Sequence, residues 1–272
     1  MLLKVGDKGP QVKALQQCIL QVYKDALPRY GADGDFGQEL LKALADVLKK
    51  PEIIKREWVD NDDQQALLSL RPSTVAHPGK WADIRANANP IHRQSLRGLG
   101  DFDIVWHQSD CEMGERLVRF KSSPAHFFVT SAGQIIQLHD IEWLTYHAHA
   151  LNARSIGIEV EGAFLGVEGD MKTWAKYHKI KPQSLTPEQI EACLALARYL
   201  KDLLASRGSR LRAYYAHRQG SNTRDRDPGS AIWQQIVLPS AKETGVEVPF
   251  ERVFGKGKPI PKQWDSRSSF DY

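Results

Sequence analysis

Two spacings of apolar residues alternate along the chain, and the change from one to the other divides it. From Val12, the residues Leu15, Ile19, Leu20 and Tyr23 recur at helical spacing. They follow the turn Gly6-Asp7-Lys8-Gly9-Pro10, which puts proline at the favoured first helical position. A second turn, Ala32-Asp33-Gly34-Asp35-Phe36-Gly37, precedes another amphipathic helix with Leu40, Leu41, Leu44 and Leu48. A third helix, carrying Ala66, Leu67 and Leu70, follows Trp58-Val59-Asp60. Three short helices are enough for a small all-α N-terminal domain, residues 1–70. The run Arg71 to Gly79 is rich in turn formers and opens a linker and lead-in segment, 71–100, with His77 as a solvated loop residue and Trp81 packing on the next domain.

From Asp103 the pattern becomes strand alternating with helix, which predicts an α/β domain over 101–245 with a mixed central β-sheet flanked by helices. Ile104-Val105-Trp106 reads as a buried strand, Phe127–Val129 and Ile135–Leu138 as a hairpin, and Ile156–Val160 and Leu211–Ala216 as further strands. Thr186-Pro187-Glu188-Gln189 is a capping box. It opens a helix with Ile190, Cys193, Leu194, Ala197 and Leu200 on one face. The tail, 246–272, lacks a periodic pattern; it either wraps the surface or is partly disordered.

Composition changes this picture little. The 272 residues are 42% hydrophobic and 26% charged, with a formal net charge of +4, as in ordinary globular chains. That charge suits an anionic polymer partner but is no nucleic-acid signature. No apolar run reaches the roughly 20 residues that span a bilayer, so no membrane insertion is expected. The N-terminus has no charged region leading into an apolar one. Synthesis in the cytoplasm without a signal peptide is therefore expected, with any action outside needing release or export. Cys18, Cys111 and Cys193 are odd in number and widely spaced, which argues against a disulfide framework.

Candidate chemistry lies at the ends of two strands. His107 closes Ile104-Val105-Trp106, and His217 closes Leu211–Ala216. Asp227 comes later, in a turn with Pro228 and Gly229. Two imidazoles and one carboxylate form a common ligand set for a catalytic zinc, leaving the fourth position to water; Cys111 fits that role less well than Asp227. Glu159, on a strand between them in sequence, offers a further carboxylate. Glu161 has the same parity and is expected on the same side, as a substrate contact, a support for the site or a salt-bridge partner.

These segments resemble the zinc-dependent N-acetylmuramoyl-L-alanine amidases of type 2, the family that includes peptidoglycan-recognition proteins. Val105-Trp106-His107 resembles the segment of the first metal histidine, Ser123–Val129 the Ser-Ala-His strand, and Tyr146-His147-Ala148 a Trp-His-Ala segment lining the cleft. Asn152 with Ser155–Gly162 resembles the strand of the catalytic acid, and His217 with Arg226-Asp227-Pro228-Gly229 the remaining ligands. The resemblance implies Zn2+ on His107, His217 and Asp227, and Glu159 as catalytic acid/base. It also implies substrate contacts from Tyr146, His147, Asn152, Glu161 and Arg226, and from His126, for which a structural role beneath the sheet is the alternative. The implied reaction is hydrolysis of the amide between N-acetylmuramic acid and L-alanine, with polymeric peptidoglycan as partner, as in phage endolysins or bacterial wall-lytic enzymes. Where many members carry a lysine two positions before the metal aspartate, this chain has Asp225; the oxyanion donor is then Arg224, Arg226 or another group such as His147. His149 stands where glycine is common. The N-terminal pieces Gly6–Val12, Leu15-Gln16 and Asp33–Gly37 resemble a three-helix peptidoglycan-binding domain. Two alternatives stay open: a non-catalytic peptidoglycan receptor, and an amidase acting on soluble muropeptide fragments.

Overall fold

The computed structural model describes residues 2–71, 75–98, 100–114, 116–174 and 180–272. Pro72, Ser73 and Thr74 of the expected linker lie outside the described residues. The chain divides into two compact units.

The first unit is Met1–Thr74 together with Pro90–Gly100 and Asp140–Leu144. Its helices are α1 (Pro10–Val22), α2 (Gln38–Leu48), α3 (Glu52–Arg56) and α4 (Asn61–Ser69). The three helices expected from periodicity are α1, α2 and α4; α3 is a single extra turn. Proline at the first position starts α1. A reciprocal Asp60–Asp63 capping box starts α4. Two short strand pairs add to the helices: Leu3–Lys4 with Trp58–Val59, and Ser95–Leu96 with Trp143–Leu144. Val12, Leu15, Ile19, Leu40, Leu41, Leu44 and Leu67 form one core with Leu96 and Trp143. Leu70, expected on the apolar face, is exposed, and Leu68 is buried instead. Trp143 donates to Gln65 Oε1 at 2.9 Å, and Arg71 grips Glu142 through two bonds of 2.5 and 2.8 Å.

The second unit holds a six-stranded sheet. Its strands are β1 (Lys80–Asp83), β2 (Phe102–Gln108), β3 (Phe127–Val129), β4 (Gln134–Gln137), β5 (Ser155–Val160) and β6 (Leu211–Ala216). The order is β6-β2-β5-β3-β4-β1, parallel throughout except for the β3–β4 hairpin. This is the mixed sheet that the alternating pattern predicts. All seven residues of β2 are buried, as a central parallel strand covered on both faces requires. Helix α5 (Pro187–Ser206) starts at Thr186, whose hydroxyl accepts from Gln189 N–H. The capping box is only half formed, because the Gln189 side chain donates to the Glu161 carbonyl instead. A last helical run comprises α6 (Ser230–Ile232), a π turn (Trp233–Val237) and α7 (Leu238–Thr244).

Trp81 lies on β1, with His77 stacked on it at 4.2 Å and Phe127 and Tyr199 edge-on; His77 is thus a stacking partner rather than a free loop residue. The tail after Gly245 is a packed strap. Ile260 and Trp264 are buried, and Gln219 donates to the carbonyls of Pro249 and Arg252. No described helix is long and apolar enough to cross a membrane.

Candidate metal centre

Strand register builds the site. On neighbouring parallel strands His107 pairs with Glu159, and Trp106 pairs with both Ala216 and Ile158. Because side chains alternate, His107 and Glu159 share a face, and His217, the residue after Ala216, emerges beside them. The three lie at the C-terminal ends of β2, β5 and β6, where ligands of open parallel sheets collect. Asp227 arrives from the next loop, placed by Arg218 N–H donating to its carbonyl and by Gln108 N–H donating to Oδ1 at 3.0 Å.

The donor atoms of His107, His217 and Asp227 lie within 4.8 Å of one another, and all three residues are buried. His107 Nδ1 is 3.0 Å from His217 Nδ1; Asp227 Oδ2 is 2.9 Å from His217 Nδ1 and 3.7 Å from His107 Nδ1. A tetrahedral ion with bonds of about 2.0–2.1 Å needs ligand edges of roughly 3.3 Å, so all three edges fit within about half an ångström.

Hydrogen bonds behind the site assign the proton of His107. Ser155 Oγ donates to the Leu151 carbonyl at 2.7 Å, so toward His147 Nε2 (3.3 Å) both Ser155 Oγ and the Ser155 carbonyl act as acceptors. His147 therefore carries its proton on Nε2 and accepts at Nδ1, 3.1 Å from His107 Nε2. That leaves His107 Nδ1 with a lone pair directed at the cluster, the arrangement a metal-binding imidazole needs. Gly157 makes room for it: a Cβ there would lie 2.5 Å from His147 Nδ1.

Burial dominates the electrostatics. Burial drops His107 to a pKa of about 4, against the opposing pull of Asp227. Burial, then the charges of Asp227 and Asp110, push Glu159 well above the usual range. Glu159 Oε2 is buried with no hydrogen-bond partner among the described residues. Burial also lifts Asp110 to about 7, aided by Asp227.

A cleft of about 350 Å³ opens on this cluster, with His217, Asp227, Glu159, Tyr146, His147 and Asn152 in its lining. The expected contacts divide accordingly. Tyr146 is 62% exposed in the cleft wall, and Asn152 lines it while accepting from Ala148 N–H at 2.5 Å. Three further residues expected to touch substrate do not line this cleft. His126 is fully buried, with Nδ1 accepting from Gly157 N–H. Glu161 lies past the end of β5, so strand parity does not govern it. Its carboxylate accepts from the backbone N–H groups of Met113, Gly114 and Ser131. Arg226 faces a small adjoining hollow, and it is Arg224 that lines the cleft. Sequence reasoning did not select Gln108, Ser109, Asp110, Pro124 and His149, which also line it. The available signal for the first three was their place at or just beyond the end of β2. Cys111 stays outside the metal cluster as a half-buried free thiol.

Comparison with known proteins fits this geometry. Residues 74–230 match the profile of the family described as N-acetylmuramoyl-L-alanine amidase. No curated protein sequence matches significantly. Similar solved structures include the endolysin N-acetylmuramoyl-L-alanine amidase LysCS from Clostridium intestinale, at 19% identity over 63% of this chain and 99% of that one, TM-score 0.43. Another is the Ph2119 endolysin of a Thermus scotoductus bacteriophage, at 18% identity over 62% of this chain and 100% of that one, TM-score 0.38. A third is Drosophila PGRP-LB, at 15% identity over 57% of this chain and 86% of that one, TM-score 0.36. At such scores it is the profile match that carries the assignment: the chain belongs to the N-acetylmuramoyl-L-alanine amidase family.

Proposed function

We propose that this chain is a zinc-dependent peptidoglycan hydrolase that cleaves the amide between the lactyl group of N-acetylmuramic acid and the L-alanine of the stem peptide. The observation that supports this most is the convergence of His107 Nδ1, His217 Nδ1 and Asp227 Oδ2 beside the buried, unpartnered Oε2 of Glu159. His107, His217 and Asp227 are the residues that would hold zinc. When bound, the ion would supply Lewis-acid polarisation of the scissile carbonyl and lower the pKa of water to about 7.

The remaining work falls to side chains. Glu159 takes the proton of the attacking water on its carboxylate and returns it to the leaving amine nitrogen. Burial and the nearby carboxylates raise its proton affinity, which favours taking up that proton. His147 is occupied on both ring nitrogens, so it orients His107 and does not donate to the oxyanion. Arg224, in the cleft wall, supplies the cation for which Asp225 is unsuited. Tyr146 offers an exposed aromatic face to glycan or peptide. The helical first unit holds the enzyme on polymeric wall, raising its effective concentration there, as suits a wall-lytic enzyme of endolysin type.

Mass spectrometry of digested sacculi tests this. Free stem peptides beginning at L-alanine are expected; muropeptides left intact, with protein retained on the wall, would overturn the proposal in favour of a receptor.

A further inference from the structure

One contact at the centre plays no part in that mechanism. His149 Nδ1 lies 2.9 Å from His217 Nε2, the ring nitrogen that faces away from His107 and Asp227. The two rings are tilted by 42° with centroids 5.2 Å apart. His149 has a left-handed backbone, φ 51, a conformation in which a side chain is uncommon and glycine is at ease. The imidazole at this left-handed position meets the outer nitrogen of a proposed metal ligand. The same turn supplies His147 to the outer nitrogen of His107.

We infer that His149 is a positioning residue for His217. His149 Nδ1 accepts the proton that His217 carries on Nε2. This fixes the rotation and tautomer of the His217 ring, so that its Nδ1 lone pair faces Asp227 Oδ2 and His107 Nδ1. The turn 147–149 thus orients both metal imidazoles, which makes it one outer layer for the whole ligand set. This inference rests on the zinc-amidase reading of the site.

Two substitutions separate the acceptor from the backbone. His149→Gly removes the ring and relaxes the left-handed residue. His149→Asn tolerates that conformation and puts Oδ1, an acceptor, where Nδ1 was. Zinc dissociation constants come from competition with a chromophoric chelator. The glycine variant is expected to bind about 10–100-fold more weakly, and the asparagine variant within about threefold of wild type. In the zinc-loaded wild type and asparagine variant, proton–nitrogen NMR should show a slowly exchanging His217 Nε2–H, lost in the glycine variant. The metal-free glycine variant should melt no lower than wild type, which excludes a general loss of structure. Wild-type zinc affinity in His149→Gly, or affinity in His149→Asn as weak as in His149→Gly, overturns the inference. If those results come from a protein whose wild type binds zinc and releases stem peptides, only the inference falls. A wild type that binds no zinc overturns both it and the amidase proposal.

Discussion

At the residue scale, Glu159 and His107 pull stability in opposite directions with pH. Glu159 has a folded pKa raised above its ordinary value. Its ionisation therefore weighs against the folded state, and stability is lost as pH rises through the ordinary carboxylate range toward the folded value. Replacing it by glutamine removes that destabilisation. Metal-free Glu159→Gln should melt a few degrees higher than wild type at pH 7–8, while its zinc-loaded form loses about 10²–10⁴ in turnover. Calorimetry and a wall-digestion assay measure the two; full activity in the variant rules out Glu159 as the base. His107 has a folded pKa of about 4, below the ordinary 6.5. Its stabilising contribution is complete above pH 6.5 and is lost as pH falls toward 4, by at most about 3 kcal/mol. Denaturant melts of metal-free Glu159→Gln across that window, with the opposing carboxyl absent, should show the midpoint falling with pH. A flat profile means that His107 is not held neutral by burial.

At the element scale, the ends of β2, β5 and β6 set the ligand geometry, and a glycine on β5 sets the layer behind it. The missing side chain at Gly157 lets the His147 ring lie against the strand. Gly157→Ala should push that ring off His107 Nε2 while leaving the sheet paired. Zinc affinity is expected to fall about tenfold or more, measured by chelator competition, with circular dichroism unchanged. Unaltered affinity would show that His147 does not orient His107. Alternation along a strand also has a limit that Glu161 marks. Parity holds to Val160, the last residue of β5, and one residue later the backbone turns the carboxylate toward the amides of Met113, Gly114 and Ser131.

At the scale of the whole molecule, the first unit is not a single stretch of chain, since Pro90–Gly100 and Asp140–Leu144 belong to it. Leu96 and Trp143 are buried in its core with the helical leucines. Deleting residues 1–71 uncovers them, along with the carboxylate of Glu142 that Arg71 holds. The shortened protein should be markedly less soluble than the full chain, as sedimentation of the expressed protein would show; Trp143→Ser in the shortened form should recover part of the loss. Equal solubility would mean that these apolar groups find other cover. If zinc is held as proposed, its removal acts on the second unit. A chelator should lower its melting temperature, and the shift should grow with the zinc concentration from which it starts.

Much of the sheet and the metal cluster was legible in the residues, because both rest on local rules. Short apolar runs marked β2, β5 and β6, and the candidate residues His107, Glu159 and His217 at or just beyond the ends of those runs are the ones the sheet register brings together. Asp227 was legible from its Pro-Gly turn. The second layer was not, because contacts such as His149 on His217 or Glu161 on three amides join residues far apart in sequence and leave no periodic trace. The same holds for Leu96 and Trp143, whose short polar surroundings resemble loops until the helices close over them. Sequence determined which side chains could do the chemistry; tertiary structure alone decided what stands behind each of them, since orientation comes from packing and hydrogen bonding between segments that the chain order does not link.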